Sequence, residues 1–92
     1  MKKANNVIKE LEGLREEINK IDDQIIELLN IRGKLSQKIG ILKKQISLDT
    51  FQPQREKEII NRIKAKSKVL DETSIKAIWK EIMDACKIIQ EN

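Results

Sequence analysis

The chain has 92 residues, with 19 Lys and Arg against 15 Asp and Glu for a net charge of +4, no histidine, and one cysteine, Cys86. This inventory excludes an internal disulfide framework, a Cys/His zinc site and any histidine-based acid–base mechanism. A single small domain of this size buries only a modest core and is expected to gain stability from association.

The charged start MKKANN is followed by no apolar run of signal-peptide length, and nowhere do about 18 apolar residues run together. A cytoplasmic protein with no membrane partner is the expectation, and a free thiol agrees with a reducing compartment. The positive balance would suit nucleic acid, a membrane surface or a small anion. However, the basic residues are interleaved with acids, and Phe51 and Trp79 are the only aromatics, too few for a base-stacking platform. No nucleic-acid partner is expected, and a small anionic ligand held by a few cations stays open.

In chain order, Val7, Leu11, Leu14, Ile18, Ile21, Ile25, Leu28, Leu35, Ile39 and Leu42 follow one another mostly by threes and fours, the pattern of a helix seam. They predict one helix from about Asn6 to Lys44, in which Gly33 and Gly40 each cost about 1 kcal/mol against alanine. Residues 1–5 are expected to be disordered. After a connection from Ile46 to Gln52, Pro53 suits the first turn of a second helix that carries Ile59, Ile60 and Ile63 to about Ser67. Asp71 or Thr73 can cap a third helix, whose inward stripe is read as Ile75, Ile78, Ile82, Ala85 or Cys86, and Ile89. The fold class is therefore all-α, three helices with one very long N-terminal helix, in one domain spanning residues 1–92.

A helix of nearly 40 residues spans roughly 55 to 60 Å, whereas a compact chain of this length has a radius of gyration of only about 12 Å. The later helices are too short to shield such a seam, which predicts that the long helix pairs with its symmetry mate in a twofold dimer.

One residue breaks the seam. Between Leu28 and Leu35 the period lands on Arg32, and burying an unpaired guanidinium is costly. Eleven residues on, a rotation of about 1,100° returns Lys43 to within roughly 20° of that face, with Ser36 between them. Arg15 lies more than about 20 Å from Arg32 along the helix, so only an antiparallel partner helix could deliver it to the same pocket. Each residue also has an ordinary reading. Arg32 can snorkel or pair with a glutamate, and Arg15 and Lys43 can be solvated charges. Glu56, beside Arg55 in a first helical turn, can simply favour the helix dipole. Cys86 can be a small core residue and Gln90 a surface one.

Taken together, these segments resemble the all-helical (AroQ-class) chorismate mutases over nearly the whole chain. LREEINKIDDQIIELLNIRGKLSQKIGILKK is similar to that family's long first helix, PQREKEIINRI to its second and IWKEIMDACKIIQ to its third. The resemblance implies an intertwined homodimer with active sites shared between subunits. It also implies a cofactor-free Claisen rearrangement of chorismate to prephenate in aromatic amino acid biosynthesis. Such a reaction needs no nucleophile and no proton transfer, only selection of the compact conformer and stabilisation of negative charge on the breaking ether oxygen.

By the same resemblance, Arg32 and the other subunit's Arg15 hold the two carboxylates of chorismate, Lys43 and Gln90 donate to the ether oxygen, Glu56 accepts from the ring hydroxyl and Arg55 orders the site. Gln90 is neutral and donates at any pH, so activity is expected to be nearly flat from weakly acidic to weakly basic conditions. Two substrate-binding positions depart from the family pattern. Gln52 stands where aspartate is usual, implying weaker helix capping, and Cys86 where serine or another small polar residue is common, implying a poorer donor. Two other functions fit the same residues: an isochorismate-pyruvate lyase of the same fold, and a non-enzymatic helical dimerisation or nucleic-acid-binding module.

Overall fold

The computed structural model describes residues 2–92. Three helices and no strand are found among them: α1 is Lys2–Gln45, α2 is Pro53–Lys66 and α3 is Glu72–Glu91. Helix α1 starts four residues before the expected Asn6, so Lys2–Asn5 is helical rather than disordered; Met1 lies outside the described residues. Nothing in KKANN breaks the backbone ladder, since the segment holds neither proline nor glycine. No helix among the described residues is long and apolar enough to cross a membrane.

Two compact units divide the chain, Met1–Ile31 and Arg32–Asn92. The first is the leading stretch of α1. Its seam residues Val7, Leu11, Leu14, Ile18, Ile21 and Ile25 are all between 43 and 57% exposed. Isolated exposed leucines are normal, but an unbroken stripe over five turns is an extended apolar face that the chain itself leaves uncovered.

The second unit holds the core. Helices α2 and α3 pack together, and Ile59 of α2 is buried along with Ile75, Met83 and Cys86 of α3. From the last turns of α1, the buried residues are Gly33, Ser36 and Gly40, which share one face. The apolar seam itself does not turn inward here, because Leu35, Ile39 and Leu42 stay exposed. Small residues decide this contact. A Cβ on Gly33 would lie 3.3 Å from Ile89 Cδ1, and one on Gly40 only 2.5 Å from the carbonyl oxygen of Gln90 and 2.8 Å from its Cα. Gly40 therefore has a specific role, not merely a tolerated cost: its missing Cβ lets the α1 backbone meet that of α3.

The expected inward stripe of α3 needs correction. Ile75 and Cys86 are buried, but Met83 is buried in place of its half-buried neighbour Ile82, Ile78 is 41% exposed with the half-buried Trp79 beside it, Ala85 is exposed and Ile89 is half-buried. The inward face runs through 75, 79, 83 and 86, shifted by one position from 78 and 82. The close backbone approach of α1 at the far end of α3 selects that side.

Local chemistry sets the helix ends. Pro53 opens α2, and Asp71, rather than Thr73, caps α3 by accepting a 2.8 Å hydrogen bond from the Ser74 N–H. That bond holds the Asp71 carboxyl below the usual carboxylate range. Helix α1 ends without glycine. Ser47 takes the left-handed conformation at φ 54, while the N–H groups of Leu48 and Ser47 donate to the carbonyls of Lys43 and Lys44 at 2.8 and 3.3 Å. This is a Schellman-type cap, and it folds the connecting segment back over Lys43.

Candidate active site

Within the second unit, the end of α1, the connecting segment, the start of α2 and the end of α3 enclose a recess of about 70 Å³. Its lining is Arg32, Lys43, Thr50, Gln52, Arg55, Glu56, Ile59, Met83, Cys86, Lys87 and Gln90. Seven of the eight residues singled out from sequence are among these. The eighth, Arg15, belongs to the first unit and is not.

Each arrives for a local reason. Arg32 and Lys43 flank the small-residue face of α1 and are half-buried where that face meets the rest of the unit. Lys43 Nζ donates to the Thr50 carbonyl and to Gln90 Oε1, both at 2.8 Å. An ammonium can only donate, so the Gln90 amide must present its oxygen to Lys43, which turns its NH₂ group elsewhere. Gln90 can reach Lys43 because Gly40, nearly one turn earlier on α1, admits the Gln90 backbone.

Gln52 occupies the N-cap position of α2, but its side chain makes no capping bond; it donates instead to the Asp49 carbonyl at 2.9 Å. The Gln52 carbonyl accepts the Glu56 N–H at 3.1 Å, which starts the helix. Arg55 sits at the rim, 3.7 Å from Glu58, and both side chains are more than half exposed, so that pair contributes little. Cys86 is a buried free thiol within the lining.

Lys87 was not legible as a site residue. Its Nζ donates to Glu56 Oε2 at 2.9 Å, lies 3.1 Å from Asp84 Oδ1 and sits 4.8 Å from the centre of the Phe51 ring. Asp84 is also bound by Lys80 at 2.6 Å. The bond to Glu56 above all, aided by Asp84, holds the Lys87 ammonium above its ordinary range, while partial burial opposes it. Lys80 and then Lys87 hold the Asp84 carboxyl below its ordinary range. In sequence, Lys80, Asp84 and Lys87 are spaced by four and three, which reads as an ion-paired solvated face. The contact that changes this reading comes from Glu56 on another helix. Thr50, contributing a carbonyl, carried no sequence signal at all.

Four cations, Arg32, Lys43, Arg55 and Lys87, thus line the recess against one carboxylate, Glu56. Such a site attracts a small polyanion and can stabilise negative charge that develops on it. A wider hollow of about 580 Å³ bordered by Phe51, Pro53, Ile60, Lys76 and Lys80 shares only Glu56 with the residues expected from sequence. No group of three or more His, Cys, Asp or Glu able to hold a metal occurs among the described residues.

Comparison with known proteins identifies the family. The chorismate mutase type II family matches residues 14–91. A bifunctional chorismate mutase/prephenate dehydratase from Aquifex aeolicus is 36% identical over 89 residues, covering 91% of this chain but only 25% of the relative, so the chain spans about a quarter of that protein. A chorismate mutase from Methanocaldococcus jannaschii is 29% identical over 87 residues, covering 92% of this chain and 88% of the relative. Among solved structures, a chorismate mutase (form II) from Thermus thermophilus superposes with a TM-score of 0.85 at 30% identity, over 89% of this chain and 94% of that one. A conserved hypothetical protein from Pyrococcus furiosus gives a TM-score of 0.73 at 35% identity, over 87% and 93% of the two chains. From the span of the family match, and from a shared fold at 30% sequence identity or more, the chain belongs to the chorismate mutase type II family.

Proposed function

We propose that the protein rearranges chorismate to prephenate as a cytoplasmic homodimer, its 92 residues acting as one functional domain with neither nucleic acid nor membrane as partner. The observation that carries this reading is the meeting of Lys43 and Gln90 at 2.8 Å in a recess lined by four cations.

Chorismate brings two carboxylates, and the reaction moves electron density onto the ether oxygen as its bond to the ring breaks. Lys43 has three N–H donors and uses two on Thr50 and Gln90, leaving one for the ether oxygen. The Gln90 amide, its oxygen turned to Lys43, has its N–H pair for the same atom. Donors aimed at developing charge stabilise the transition state more than the substrate, so they raise kcat. Arg32 takes one carboxylate in bidentate fashion, and Glu56 accepts from the ring hydroxyl. Arg55 at the rim helps order the substrate, the Gln52 backbone supports hydroxyl recognition, and the Cys86 thiol lies toward the ring carboxylate.

Ligand pockets usually measure about 300–1,000 Å³. One chain provides only about 70 Å³, which supports a site completed by a second subunit. In this reading, Arg15 of the partner subunit brings the second carboxylate contact, and the exposed seam from Val7 to Ile25 pairs along the twofold axis.

The test is incubation with chorismate, followed by loss of its absorbance, with prephenate identified through acid conversion to phenylpyruvate. Turnover is expected, and Lys43→Ala should lower kcat by at least about 100-fold. A folded dimer that leaves chorismate intact overturns the proposal. Release of pyruvate from isochorismate would then identify the lyase, and salt-sensitive nucleic-acid binding the non-enzymatic module.

A further inference from the structure

Glu56 poses an electrostatic problem within the mutase reading, on which this inference rests. Among the described residues it is the only carboxylate lining a site that takes a dianion, yet as an acceptor for the ring hydroxyl it stands among substrate charges of its own sign. Lys87 answers it. Its ammonium binds Oε2 of Glu56 at 2.9 Å, which leaves Oε1 to accept from a ligand.

A lysine head on a flexible stem is normally poorly fixed. This one is held from three elements, by Glu56 on α2, by Asp84 on its own helix at 3.1 Å, and by the ring of Phe51 in the connecting segment at 4.8 Å. Asp84 is itself steadied by Lys80 at 2.6 Å. The Glu56 and Lys87 side chains are each 26% exposed, so solvent screens them less than the rim pair Arg55–Glu58, at 63 and 56%.

We propose that Lys87 is a positioning residue of the active site: it fixes the Glu56 carboxylate in one orientation for the substrate's ring hydroxyl, and offsets its repulsion of the substrate carboxylates. The raised affinity of Lys87 for its proton, due first to Glu56, accords with this. The hydroxyl lies outside the bonds being made and broken, so the effect belongs mainly to KM.

A double-mutant cycle on chorismate turnover tests it, using Lys87→Met, Glu56→Gln and the pair, with Lys87→Arg as the charge-retaining variant and thermal melts to confirm folding. Lys87→Met should lower kcat/KM roughly tenfold, mostly through KM, when Glu56 is present, and less than about twofold in the Glu56→Gln background. Lys87→Arg should recover most of the loss. If Lys87→Met costs the same with and without Glu56, Lys87 acts on the substrate directly or only clamps the fold, and the inference fails while the mutase reading stands. Melting temperatures that fall with kcat/KM unchanged overturn it likewise. A folded wild-type protein with no turnover removes the mutase reading, and this inference with it.

Discussion

Lys43 and Gln90 are 47 positions apart, yet each determines what the other can do. Because Gln90 gives its oxygen to the ammonium, the pair presents only N–H groups to a ligand, and the amide is neutral. Gln90→Glu would change this. Next to Lys43 the new carboxyl would be held ionised, and an ionised carboxylate cannot donate. The variant should therefore be poorly active from weakly acidic to weakly basic pH and recover only in acid, at or below the ordinary glutamate range near about 4.3, where the wild-type profile stays nearly level; kcat measured from about pH 3 to 9 checks both curves. At this scale the sequence was informative about residue type and poor about pairing. A cation breaking an apolar seam flags Arg32, but nothing in the spacing of Lys80, Asp84 and Lys87 distinguishes a solvated face from a contact with Glu56.

At the scale of elements, the α1–α3 crossing depends on the absence of side chains. Gly33, Ser36 and Gly40 form the buried face of the end of α1, and the Gln90 backbone lies where a Gly40 side chain would be. Gly40→Ala should overpack this crossing, costing about 1–3 kcal/mol of stability. By moving the last turn of α3, which carries Gln90, it should also lower kcat by at least about tenfold in the protein that remains folded. Denaturant titration and steady-state kinetics measure the two effects separately. If alanine leaves both unchanged, α3 yields at that point and the crossing does not set the position of Gln90. Propensity alone predicts a gain for this substitution, since alanine favours a helix by about 1 kcal/mol over glycine. The shift of the α3 core from Ile82 to Met83 has the same origin, because the helix offers two adjacent apolar stripes and only the partner's approach selects one.

For the whole molecule, the uncovered seam of α1 and the shallow single-chain recess lead to one prediction. If Arg15 and Arg32 meet across a dimer, Arg15→Ala and Arg32→Ala proteins, each inactive, should regain activity on mixing and refolding. One site of each heterodimer would then hold both arginines, giving roughly a quarter of wild-type activity for random exchange. Demonstrated heterodimers without activity would show that the sites are not shared in this way.

The sequence alone determined the helical class and the three elements, and through its family resemblance it singled out seven of the residues lining the recess. The helical elements are consequences of period and residue type, which are local or repeat regularly along the chain. Tertiary structure alone decided which face of each helix is buried, that Gly40 brings Gln90 to Lys43, and that Lys87 reaches Glu56. Those outcomes depend on distances between segments far apart in the chain, where a missing methyl group or a counter-ion on another helix outweighs local preference.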